Sequence, residues 1–144
     1  MCATDGHGGK DVSKYMKDHF YKAFENTLFH SISGASASVS ASASSDATTD
    51  CVVSSALKKA LSAVDDDILT GPTSRKLHYQ GSTSCMLYLE KSGSQDSPFT
   101  SVVSANVGDS RAVMARGLKS VELTEDHKPN DPLERQRGEL APHF

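Results

Sequence analysis

The run Asp5-Gly6-His7-Gly8-Gly9 places a short carboxylate, an imidazole and three glycines within five residues. An aspartate can bridge two hard cations, a flexible glycine can offer its carbonyl to one of them, and a histidine carries a proton that titrates near neutrality. Two divalent ions held in this way lower the pKa of a shared water and neutralise a phosphoryl group, while a neighbouring acid protonates the departing oxygen. The same residues equally suit a tight turn with an N-terminal cap ahead of a helix. The local sequence leaves both readings open.

The rest of the composition bounds the answer. The 144 residues are enough for one domain, and 37% are hydrophobic, below the usual share for a compact globular chain. A formal charge of −3 supplies no field to attract nucleic acid or anionic lipid. No apolar run approaches the length of a membrane span, and the first residues lack the basic start and apolar stretch of a secretory signal. The expectation is a cytoplasmic or nuclear protein with no nucleic-acid and no membrane partner. Cys2, Cys51 and Cys85 are odd in number and widely spaced, so they read as reduced thiols. The six histidines fall in no metal-ligand spacing.

The corner must be positioned by its neighbours. From Lys10 to Phe29 the apolar residues Val12, Tyr15, Met16, Phe20, Ala23, Phe24 and Leu28 recur at helical spacing. A second helix is expected from about Cys51 to Leu69, with Val53, Leu57, Ala60, Leu61, Val64 and Ile68 on one stripe and Gly71-Pro72 at its end. Between them "SISGASASVSASASSDATTD" (31–50) is expected to be a disordered insertion, because side chains this small bury too little area to offset the entropy of ordering. After Gly71 the period becomes alternating. Strands are expected over Ser82 to Leu89, Phe99 to Val107, Ser110 to Arg116 and Leu118 to Leu123, joined by turn-forming segments. Helices followed by antiparallel strands indicate an α+β layered fold.

Three further stretches follow in order: "GSTSCMLYL" (Gly81 to Leu89), "ANVGDSRAVM" (Ala105 to Met114) and "LTEDHKPNDPLERQR" (Leu123 to Arg137). Together with "DGHGG", this set resembles the metal-dependent protein phosphatases of the type 2C (PPM) family. The resemblance implies a two-sheet antiparallel β-sandwich flanked by helices. It also implies a dinuclear Mg2+ or Mn2+ site and hydrolysis of phosphoserine and phosphothreonine proteins by a metal-bound water. Carried over by motif, Asp5 is the carboxylate bridging both metals, Gly6 a carbonyl ligand, and His7 the catalytic general acid. Asp109, in "GDSR", resembles a residue that helps hold a weaker third metal, against its plain reading as a turn aspartate. Arg111 is expected to brace that turn, Asp126, His127 and Lys128 to be structural, and Glu134 with Arg135 to form a surface pair.

An upstream arginine strand with an acidic pair, and two downstream aspartates, belong to the family pattern and have no counterpart in these residues. The expectation is therefore a partial domain over 1–144, monomeric when complete, with weak metal affinity, impaired activity and unpaired sheet edges. The competing readings are a non-catalytic, phosphatase-like binding module and a regulatory α+β domain whose serine-rich tract is phosphorylated.

Overall fold

The computed structural model describes residues 1–35, 45–72, 74–77, 79–91 and 99–140. Its elements follow in the order β1 (Cys2–His7), α1 (Asp11–Ala35), α2 (Ser45–Thr70), α3 (Ser74–Leu77), β2 (Gly81–Lys91), β3 (Phe99–Val107), β4 (Val113–Arg116), β5 (Lys119–Glu122) and α4 (Pro132–Leu140). This is the α+β arrangement that the change of hydrophobic period predicts. None of the described helices is long and apolar enough to cross a membrane.

The two long helices form because each carries one apolar stripe. In α1, Val12, Met16, Phe20 and Phe24 repeat every fourth residue and are buried. In α2 the stripe is Val53, Ala56, Leu57, Ala60, Val64 and Ile68, with Ala56 and Ala60 fully enclosed. Ala56 is absent from the expected stripe, and Leu61, which was expected there, is only half-buried against the core. Small residues at the centre let the two helices approach closely. They run antiparallel, with the Tyr15 hydroxyl near the start of α1 donating to Asp67 Oδ2 near the end of α2 at 2.6 Å.

The expected disordered segment at 31–50 is corrected at both ends. Helix α1 continues to Ala35, and α2 begins at Ser45. The apolar stripe of each helix supplies the tertiary support that the Ser/Ala sequence lacks, and alanine extends the backbone at no propensity cost. The middle of that segment, 36–44, lies outside the described residues.

Beneath the helix pair lies an antiparallel sheet in the order β1-β2-β3. The register aligns Cys2 with Met86, Asp5 with Thr83, and His7 with Gly81, while β2 meets β3 through Ser84 opposite Val107 and Met86 opposite Ala105. Alternation then divides β2. Met86 and Tyr88 join the helix-side core with Val103 and Ala105, and Thr83, Cys85, Leu87 and Leu89 point to the other face. Asp5 shares that other face through its pairing with Thr83.

The second sheet among the described residues is the two-stranded β4–β5 hairpin. It starts three residues later than the sequence predicts, because the chain from Gly108 to Ala112 is taken up by the turn around Asp109 and lies in no strand. The segment after β5 lies along the sheet's other face: Ser104 Oγ donates to Leu123 O, and Asn106 Nδ2 donates to Glu125 O at 2.8 Å. Helix α4 was not expected. Asp131 caps it, its Oδ1 accepting from the N–H groups of Leu133 and Glu134 at 2.8 and 3.3 Å, with Pro132 at the first helical position.

Candidate functional site

The corner is built where β1 ends and α1 begins. Asp5 lies inside β1 opposite Thr83, so its carboxylate stands on an exposed sheet position. It is not the cap of α1. That role falls to Gln80, whose Oε1 accepts from the Asp11 N–H at 2.9 Å while its Nε2 donates to Asp11 Oδ2 at 3.1 Å. The choice left open by the local sequence, between cap and chemistry, is thereby narrowed: the capping work is done from 69 residues away.

At two glycines the missing side chain shapes the corner. Gly8 has φ +71°, and a Cβ there would stand 2.3 Å from the carbonyl oxygen of Tyr79. No side chain fits without moving backbone. Gly81 lies under the His7 imidazole, where a Cβ would be 2.3 Å from Nε2. The missing side chain makes the seat for the ring. His7 in turn lines a cleft of about 990 Å3, whose walls include Val12, Met16, Ile68, Leu77, Gln80 and Arg137.

Asp109 sits in the turn after β3, at the same sheet end as Asp5. The Thr83 hydroxyl ties this turn to β2, at 2.6 Å from the Ser110 hydroxyl. From the other side, the Gly108 carbonyl accepts from the His127 N–H at 3.0 Å and from Asn106 Nδ2 at 2.9 Å. Because β2 lies between β1 and β3, the strand that carries Asp5 and the strand that leads into Asp109 are not neighbours in the sheet.

Arg111 braces the turn, as expected. Its Nε and Nη2 donate to the two oxygens of Asp126 at 2.8 and 3.0 Å, a bidentate clasp, and its Nη1 reaches Glu122 at 3.3 Å. Lys128 adds a second cation at 3.1 Å from Asp126. The hydrogen bonds from Arg111 and then Lys128 pull the Asp126 carboxyl from 3.8 down to about 2. The expected surface pair of Glu134 with Arg135 is a correction. Glu134 binds Arg137, three residues on, and Arg135 binds Glu139, four residues on, because helical neighbours in sequence do not face each other.

The family model for protein phosphatase 2C matches residues 1–142. The chain belongs to the protein phosphatase 2C family. Its relatives include a putative protein phosphatase 2C 22 from Oryza sativa subsp. japonica, 30% identical over 92% of this chain and 25% of its own length. Another is a probable protein phosphatase 2C 69 from Arabidopsis thaliana, 33% identical over 97% of this chain and 32% of its own length. The chain thus spans about a quarter to a third of these curated relatives. Among solved structures, a serine-threonine phosphatase 2C from Toxoplasma gondii superposes with a TM-score of 0.70 at 20% identity, covering 94% of this chain and 42% of that one. At that identity the likeness establishes the fold.

Protein phosphatase 2C enzymes depend in general on Mg2+ or Mn2+, and the donors present can be tested against that need. The Asp5 carboxylate and Gly6 carbonyl are hard oxygens of the right kind. Yet no group of three or more His, Cys, Asp or Glu side chains that could hold a metal ion is gathered among the described residues. By themselves these residues do not make a dinuclear site. Reading the sequence also missed Gln80, which caps α1 from 69 residues away, and Arg137, which lines the same cleft as His7; neither carries a local signal of doing so.

Proposed function

We propose that this chain is part of a metal-dependent protein serine/threonine phosphatase. Asp5 and the Gly6 carbonyl contribute oxygen donors to its Mg2+ or Mn2+ centre, and Asp109 contributes to a weaker third ion. His7 protonates the serine or threonine oxygen as the phosphate departs, an assignment supported by its exposed seat over Gly81 at the mouth of a cleft. The observation that carries the reading is the family match over residues 1–142, which includes this corner in full.

The test is Mn2+ binding by calorimetry on the 144-residue chain beside Asp5→Asn, with phosphopeptide hydrolysis followed in the same samples. Binding that the substitution abolishes supports the role of Asp5. Binding that is indifferent to it removes Asp5 from the centre.

A second reading has an observation of its own. Because no metal-competent cluster is gathered among the described residues, a non-catalytic module that holds phosphoproteins without turning them over also fits. Phosphopeptide binding without Mn2+ binding or hydrolysis distinguishes it.

A further inference from the structure

The described side chains lining the cleft beside His7 include one arginine, Arg137. It comes from α4, which buries none of its residues, so the guanidinium is not held there by packing. What holds it is Glu134. Arg137 Nε donates to the two Glu134 oxygens at 3.0 and 3.1 Å, and Nη2 donates to Oε2 at 2.8 Å. This grip fixes the plane of the guanidinium while engaging Nε and Nη2 only, which leaves the two N–H donors of Nη1 outside it.

A phosphorylated side chain carries nearly two negative charges at neutral pH and three acceptor oxygens. A planar, permanently charged fork is the side chain best matched to it. We propose that Arg137 binds the phosphoryl group of a phosphoserine or phosphothreonine substrate in this cleft, with Glu134 orienting it. The proposal rests on the phosphatase reading of the corner and adds a substrate-binding residue from a different part of the chain. The apolar floor of Val12, Met16 and Leu77, with exposed Leu69 and Tyr79 at the rim, offers contact to an apolar residue beside the phosphorylated one.

The experiment uses the 144-residue chain in chelator, so that no metal contributes. A fluorescent phosphothreonine peptide and its threonine counterpart are titrated against wild type, Arg137→Ala, Arg137→Lys and Arg135→Ala. Losing a charge-assisted contact weakens binding by about tenfold or more. That loss is expected for the phosphopeptide with Arg137→Ala, and a smaller one with Arg137→Lys, which keeps the charge but not the fork. Arg135→Ala, which removes a cation of the same helix that pairs with Glu139 and does not line the cleft, is expected to bind as wild type does, and the threonine peptide to be indifferent to every change. Circular dichroism melts check the fold, and alanine is well tolerated at an exposed helical position.

Equal phosphopeptide affinity in wild type and Arg137→Ala overturns the proposal, as does a wild type that does not prefer the phosphorylated peptide. The phosphatase reading fails by a separate measurement, the absence of both Mn2+ binding and phosphopeptide hydrolysis.

Discussion

At the scale of single residues, two glycines at one corner make opposite predictions. A Cβ at Gly8 would meet backbone, the Tyr79 carbonyl, in a conformation that L side chains avoid. Gly8→Ala is expected to lower stability by about 2 kcal/mol or more, read as a fall in the denaturation midpoint. At Gly81 the three atoms nearest to a Cβ all belong to the ring of His7, which is exposed and can swing away. Gly81→Ala should leave stability within about 1 kcal/mol of wild type while displacing the imidazole. The His7 ring resonances in a proton NMR spectrum report this: unchanged shifts would mean that the ring does not rest on Gly81. Stability and site geometry are thus separable at positions that look alike in sequence.

At the scale of elements, the clasp around Asp126 predicts an acid response. Its carboxyl titrates at about 2 in the folded chain instead of 3.8, so it binds its proton less readily folded than unfolded. Its contribution is fully present above about pH 4 and is lost as pH falls toward about 2. Amide protection factors in β4 and β5 should fall across that window in wild type. In Asp126→Asn they should already be low at pH 5 and change little on acidification. What was legible in the sequence divides along the same line. Both long helices were legible because a four-residue apolar repeat is local information, and so was the alternation in β2. The start of β4 was not, because hydrogen bonds from Asn106 and His127 decide where the turn ends. The Asp5-Gly6-His7 corner could be read as a motif, but its support by Gln80 could not, since that partner lies 69 residues from the helix start it caps. Helix α4 had a readable signal in Asp131-Pro132, the cap followed by a first-turn proline.

At the scale of the whole molecule, the buried hydrophobic residues run from Val12 to Met86, and the described chain after Met86 adds none. The helices and β2 are therefore held by apolar burial, whereas the β4–β5 hairpin and α4 are held by hydrogen bonds and exposed ion pairs. Met86→Ala, which empties a site 1% exposed, is expected to cost about 2–5 kcal/mol in global denaturation. Hydrogen exchange should show the hairpin opening at lower free energy than β2, and equal protection in both would contradict this division. The pairing of β1 with β2 has one more consequence. Cys2 aligns with Met86 across 84 residues, so the strand that carries Asp5 and His7 cannot be seated until both helices and β2 have been synthesised and brought beneath it. Closing so long a loop costs entropy before any contact rewards it, and pairings of this range are slow to form. The corner is accordingly completed by residues that lie far downstream of it. The pairing of Asp5 with Thr83 and of His7 with Gly81 forms only once β2 has emerged.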